Sequence, residues 1–139
     1  MPGISDPGFL LVRACVEAEV PLTVLPGSTA FLPALVGSGL PCDRFYFEGF
    51  LPPKKGKNKR LKYLQQSEET LILYISPYKL IKDLEKLIEF LGADRQACLA
   101  REISKIHEEF IRGTLAEIHE EMKSRTKIRG EITLIIAGE

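Results

Sequence analysis

Apolar residues recur along this chain first at one spacing and then at another, and the change of rhythm predicts helices and strands in turn. Phe9, Val12 and Val16 fall at helical spacing behind Asp6 and Pro7. That is a capping carboxylate followed by a proline at the first helical position, where a missing N–H costs nothing. Residues 21–25 read as a short strand. Pro26-Gly27 is a turn signal, and Ser28 and Thr29 are candidate N-caps of a helix carrying Ala30, Phe31, Leu32, Leu35 and Val36. Gly37 and Gly39 end that helix, and Pro33 predicts a distorted first turn or a late start. Residues 44–50, RFYFEGF, are strongly β-favouring, with Phe45 and Phe47 on one face and Tyr46 and Glu48 on the other.

The second half continues the alternation. Residues 70–75, TLILYI, form a buried-strand candidate. Ser76-Pro77 then starts a helix with Leu80, Leu84, Leu87, Ile88 and Leu91 on one face, closed by Gly92. Residues 96–101 read as a strand and residues 104–112 as a second extended segment. Thr114 and Glu117 make a capping-box pair for a helix bearing Leu115, Ile118 and Met122, and residues 131–137 are the last strand. Strands alternating with helices predict an α/β fold, a mixed β-sheet flanked by helices. The two extended segments in direct succession call for an antiparallel pair.

Composition narrows the class. The chain has 139 residues, is 45% hydrophobic and 27% charged, and carries no net charge. It can build a core, and it is not a globally basic nucleic-acid binder. Basic charge is local, in residues 54–62, KKGKNKRLK, followed by Tyr63. This stretch predicts an exposed, poorly ordered loop whose Lys54, Lys55, Lys57, Lys59 and Arg60 are either simply solvated or contacts to nucleic-acid phosphates, with Leu61 and Leu64 starting a helix. Cys15, Cys42 and Cys98 are odd in number and without zinc spacing, and His107 and His119 have no partner pattern. No metal site is expected. With no signal peptide and no membrane-length apolar run, a cytoplasmic protein is expected. Glu102 and His107 are the only acid–base pair suggested by the order of residues, and nothing in that order brings them together.

Several motifs carry a resemblance. PGISDPG (2–8), LPGSTAFLPALVGSGLPCDRF (25–45), EGFLPPKKGK (48–57), LYISPYKL (73–80), REISKIHEE (101–109), RGTLAE (112–117) and RGEITLIIAGE (129–139) occur in this order. Together they resemble the ribosomal RNA small subunit methyltransferase I family, within the tetrapyrrole methylase-like superfamily, over essentially the whole chain. The resemblance implies transfer of a methyl group from S-adenosylmethionine to the ribose 2′-oxygen of a cytidine in small-subunit ribosomal RNA. It also implies two α/β domains with the cofactor between them, and a homodimer. The family's first motif usually begins with DAGTP, and here Met1 stands where its threonine would be. Residues 1–25 then correspond to the end of the N-terminal cofactor-binding domain and residues 26–139 to the C-terminal α/β domain. A fragment lacking the glycine-rich cofactor loop is expected to be inactive alone.

By motif, Pro2, Ile4 and Ser5 match a loop lying against the cofactor. Thr29 and Ala30 match the turn on its adenosine side, Ile75 the position facing adenine, and Ala100, Arg101 and Glu102 the far side of the cleft. Tyr78 and Lys79 replace the commoner His-Arg, and Ser28 the commoner proline. The catalytic base is left unassigned. A non-catalytic RNA- or protein-binding module and a tetrapyrrole methylase are the alternatives. The REISKIHEE and EGFLPPKKGK motifs favour the RNA enzyme.

Overall fold

A computed structural model describes residues 1–139. In chain order the elements are α1 (Phe9–Glu17), α2 (Phe31–Ser38), β1 (Phe45–Phe50), α3 (Lys54–Gln65), β2 (Thr70–Ile75), α4 (Leu80–Leu91), β3 (Gln96–Arg101), β4 (Glu109–Thr114), α5 (Leu115–Lys123) and β5 (Ile132–Ile136). The five strands form one sheet in the order β1-β2-β5-β3-β4. β1 and β2 are parallel, and every other neighbouring pair is antiparallel. The expected mixed α/β sheet is therefore present, and β5, last in sequence, is its centre. β5 is buried along its whole length, as a run of ITLII with both faces covered requires.

Alternation along the strands sorts the core into two layers. Leu71, Leu73 and Ile75 of β2 align with Ile136, Leu134 and Ile132 of β5, and the latter with Ala97 and Leu99 of β3. This face packs against Leu61 and Leu64 of α3, Leu80, Leu84, Leu87 and Leu91 of α4, and Leu115, Ile118 and Met122 of α5. The opposite face, built on Ile72, Ile135, Cys98 and Ala100, is covered by Ala34 and Leu35 of α2. Three helices thus cover one side and one helix the other.

Local chemistry explains most boundaries, and several expectations need correction. Thr114 and Glu117 form the reciprocal capping box at the start of α5. Pro33 is tolerated because α2 starts late, at Phe31, so that Pro33 lies in the first turn, where amides have no helical partner. Neither Ser28 nor Thr29 caps α2; its N-cap is Ala30, with no side-chain bond. α1 likewise begins behind Gly8 rather than Asp6, and α4 begins at Leu80 after a turn through 77–79. The second extended segment is displaced: residues 102–108 form turns, and β4 starts only at Glu109.

Residues 21–25 are not a strand. They pair with neither of the sheet's open edges, β1 and β4. α1 has no buried residue, and Phe9, Leu10, Val16, Val24 and Leu25 are all exposed. The first apolar stripe of the sequence thus has no partner within the chain.

The basic stretch is not a loop. It forms α3, interrupted by non-helical backbone at Lys55 and Gly56. Mutual repulsion of the cations is overcome by specific anchors: Lys57 reaches Asp83 on α4 at 2.5 Å, while Arg60 reaches Glu48 and Tyr46 on β1. A register shift between Phe47 and Gly49 makes a bulge in β1 at Glu48, whose carboxylate meets Arg60.

Candidate functional site

A cavity of about 370 Å³ lies at the carboxyl ends of the two parallel strands. That is where ligands sit in open α/β sheets, because helix and loop starts converge there with free backbone groups. β1 supplies its last residue, Phe50, and β2 supplies Tyr74 and Ile75 with the Ser76-Pro77 turn that follows. The start of β5 supplies the segment from Gly130 to Thr133, and Ser5 and Ala30 close the remaining side. The wall is mixed, with apolar and aromatic surface beside Ser5, Ser76, Thr133 and the carboxylate of Glu131.

Tyr74 is fixed by its neighbours. Its ring lies 5.3 Å from that of Phe47 and 5.6 Å from that of Phe50, and its hydroxyl is 3.5 Å from Thr29 Oγ1. Two glycines let the walls close. Gly49 has φ +69°, and a Cβ there would stand 2.8 Å from Ser5 Oγ. Gly130 has φ +94°, and a Cβ would stand 2.5 Å from a Glu102 carboxylate oxygen. Neither position accepts a larger residue without strain and displacement of the neighbour.

The lower rim is a charged network. Glu102, at φ +53° in the turn after β3, accepts a hydrogen bond from the Glu131 amide at 2.8 Å and another from Lys105 Nζ at 2.9 Å. The amide first, and then the ammonium group, hold the Glu102 carboxyl below the usual carboxylate range. Lys105 is raised in turn by Glu102 and Glu131. Arg125 and Arg101 grip Glu109, and the Arg125 guanidinium is the main cause of its lowered pKa. Glu102 is turned to Lys105 and Glu131 and makes no hydrogen bond to His107, so these two do not form an acid–base pair. No group of three His, Cys, Asp or Glu side chains could hold a metal ion, and no helix is long and apolar enough to cross a membrane.

Of the expected cofactor residues, Ser5, Ala30 and Ile75 line one cavity although they are far apart in sequence. Ile75 is only 3% exposed and packs in the main core, so its side chain is chiefly structural. Thr29 stands behind the wall, against the Tyr74 hydroxyl. Ala100 is fully buried and pairs with Thr133, while Arg101 pairs with Ile132 and Glu102 bonds Glu131, so these three support the β5 side from behind. Pro2 and Ile4 are exposed beside the cavity loop and do not line it. Residue order missed Phe50, Tyr74 and the 130–133 wall. Their signal was present in EGF, LYIS and RGEIT, but each residue reads equally well as strand interior.

Of the expected RNA contacts, Lys54, Lys55 and Lys59 form no ion pair, whereas Lys57 and Arg60 are engaged with Asp83 and Glu48. A second, larger concavity of about 790 Å³ lies between α3 and α4, and its lining is almost wholly polar.

Comparison with known proteins agrees with this geometry. The family model described as tetrapyrrole (corrin/porphyrin) methylases matches residues 1–119. The chain is 47% identical over 138 residues to the ribosomal RNA small subunit methyltransferase I of Synechocystis sp., covering 99% of this chain and 49% of that protein. It is 43% identical to the protein of the same name from Hydrogenobaculum sp., covering 99% of this chain and 60% of the relative. The chain thus spans about half to three fifths of the curated relatives it matches. Among solved structures, the methyltransferase CobJ superposes with a TM-score of 0.72 at 21% identity, over 99% of this chain and 61% of that one. The uroporphyrin-III C-methyltransferase of Thermus thermophilus, solved with S-adenosyl homocysteine, gives 0.59 at 20% identity, over 91% and 57%. The match of the family model over most of the length shows that this chain belongs to the tetrapyrrole (corrin/porphyrin) methylase family, and it is similar throughout to ribosomal RNA small subunit methyltransferase I.

Proposed function

We propose that this chain is part of an S-adenosylmethionine-dependent methyltransferase that acts on the ribose 2′-oxygen of a cytidine in small-subunit ribosomal RNA. The observation that carries the reading is the meeting of Ser5, Ala30 and Ile75 in one cavity, because these residues come from three separate motifs of the resemblance. The cavity fits a nucleoside. Its volume lies at the lower end of the roughly 300–1,000 Å³ of small-molecule sites, with aromatic and aliphatic surface for a base and hydroxyls for a ribose. The relative solved with S-adenosyl homocysteine supports the same choice of cofactor.

S-adenosylmethionine, when bound, would supply a sulfonium methyl group for displacement by a ribose hydroxyl. The residues of this chain serve mainly to hold and orient, which is where most of the rate of such a displacement comes from. Phe50 and Tyr74 offer ring surface, and Ser5 and Ser76 offer hydroxyls. Thr29 fixes Tyr74, while Ala100, Arg101 and Glu102 fix the β5 wall. Pro2 and Ile4 would meet the cofactor only by movement of their loop. Lys54, Lys55 and Lys59 are the cations free to meet phosphate. An RNA substrate of this kind implies a cytoplasmic protein, and a homodimer is the expected assembly.

The chain spans only about half to three fifths of its relatives' length, so this chain alone should bind the cofactor weakly and have no activity. The test has two parts. Titration of this chain with S-adenosyl homocysteine at millimolar concentration should shift the methyl resonances of Ala30, Ile75, Ile132 and Thr133, with no saturation in the micromolar range. Methyl resonances that stay still would overturn the cofactor site, and micromolar affinity would overturn the incomplete cleft. A chimera of the Synechocystis relative carrying this chain in place of its matching segment should methylate small-subunit ribosomal RNA at a ribose oxygen. Methylation of a tetrapyrrole and not of RNA would support the alternative chemistry.

A further inference from the structure

We propose that the groove between α3 and α4 is the track along which single-stranded RNA reaches the cavity, with Tyr78 as a platform on which one base stacks. The proposal rests on the RNA reading above and adds to it a surface formed by α4 and the turn before it.

Charge is the first argument. Lys54 and Lys57 from α3 face Lys79, Lys82 and Lys86 from α4 and its N-cap across the groove of about 790 Å³. Lys57 is committed to Asp83 at 2.5 Å and Lys86 to Glu89 at 2.6 Å. Lys54, Lys79 and Lys82 make no ion pair, and with Asp83, Glu85 and Glu89 on the same wall the groove keeps an excess of positive charge. Cations drawn from two helices along one groove match a flexible polyanion, whose phosphates release counterions on binding.

The second argument is Tyr78. It is 94% exposed, its hydroxyl has no partner, and it lies on the groove between free lysines. A ring so placed contributes nothing to the core, yet it presents a flat face to which any unpaired base can stack. A base-paired duplex would hide that face, which selects a single strand over a double helix.

The third argument is continuity. The β2–α4 turn gives Ser76 and Pro77 to the cavity and Tyr78 and Lys79 to the groove. The β1–α3 connection does the same, with Phe50 on the cavity and Pro53 and Lys54 on the groove. Two short loops are therefore the shared wall of both concavities. A strand lying in the groove would run towards the cavity over these two loops.

The experiment is fluorescence anisotropy of this chain with a short fluorescein-labelled single-stranded RNA of mixed sequence, over a salt series. Replacing Lys79 and Lys82 by alanine should lower the slope of log affinity against log salt by roughly 0.7 per lysine. Tyr78→Ala should weaken binding roughly fivefold or more with the slope unchanged, and Tyr78→Phe should restore it. The same RNA annealed to its complement should lose its dependence on Tyr78. Lys123→Ala with Lys127→Ala, an equal loss of charge elsewhere, should change neither quantity. If the control pair matches the groove pair, or Tyr78→Ala is silent, the track is overturned. If only Lys55 and Lys59 variants, off the groove, weaken binding, the track fails while the RNA reading stands. Absence of any RNA binding by the unaltered chain overturns the track and removes the support of the basic surface for that reading. Competition by polyglutamate as effective as by RNA, with Tyr78 silent, would assign the groove to an acidic protein instead and overturn the proposal.

Discussion

At the scale of single residues, the basic stretch holds two kinds of cation that composition cannot distinguish. Arg60 is a structural residue. Its guanidinium bonds Glu48, whose side chain is 6% exposed, and stacks over Tyr63 at 4.8 Å. The Glu48 carboxylate holds the Arg60 pKa well above its ordinary value. Arg60→Ala should therefore destabilise the chain by about 2 kcal/mol, because a nearly buried carboxylate loses its charged donor. Urea denaturation measures this, and an unchanged midpoint would mean that Glu48 finds another partner or water. The same substitution should leave the salt slope of RNA binding unaltered, unlike Lys79 and Lys82. Gly49 gives a second test. At φ +69°, with Ser5 against its missing side chain, Gly49→Ala should cost about 1–2 kcal/mol and shift the Ser5 resonance. A variant as stable as the parent, with Ser5 unmoved, would contradict the close approach.

At the scale of elements, the β3–β4 connection is held by ion pairs as well as by Ile103, which packs against the second core layer. Glu102 is fixed by the Glu131 amide and Lys105, and Glu109 by Arg125 and Arg101. Both carboxyls have folded pKa values below the ordinary 4.5. A lowered folded pKa means that the folded state binds its proton less readily than the unfolded one. The resulting stability is complete above the ordinary value and is lost as pH falls through the lower folded values. The urea midpoint should be level near neutral pH and fall below pH 4.5. Glu109→Gln should lower the plateau and make the acid limb shallower. An acid limb identical to that of the parent would exclude Glu109 as a contributor.

At the scale of the whole molecule, one end of the chain has no packing partner of its own. Phe9 is 65% and Val16 64% exposed, and Leu22, Val24 and Leu25 are also in solvent. Each large apolar side chain left in water forgoes roughly 1.5–3 kcal/mol of burial, and a contiguous set of this kind drives association. A second copy of the chain supplies the same surface, so a homodimer with α1 in its interface is the expected state. Size-exclusion chromatography with light scattering should give the dimer mass, and Phe9→Ser with Val12→Ser should shift it towards monomer. A monodisperse monomer at high concentration would refute this. A dimer indifferent to those substitutions would place the interface elsewhere.

The sequence by itself determined the class and most of the elements, because hydrophobic period is a local property. TLILYI and EITLIIA read as buried strands, the Leu80–Leu91 stripe reads as a helix with one buried face, and the Thr114–Glu117 pair marks its own helix start. The motifs carried the family, and Ser5, Ala30 and Ile75, drawn from three of them, line one cavity. What the order of residues could not decide is whatever depends on a partner distant in sequence. Residues 21–25 have strand chemistry and no strand, because they dock on neither open edge of the sheet. Residues 54–60 have loop chemistry and form a helix, because Asp83 and Glu48 neutralise two of their charges. The central position of β5, the turn of Glu102 towards Glu131 and away from His107, and the joining of cavity to groove through Ser76–Lys79 are likewise long-range facts. Only the tertiary structure fixes them, since each is the choice of one partner among several that the local sequence would satisfy equally well.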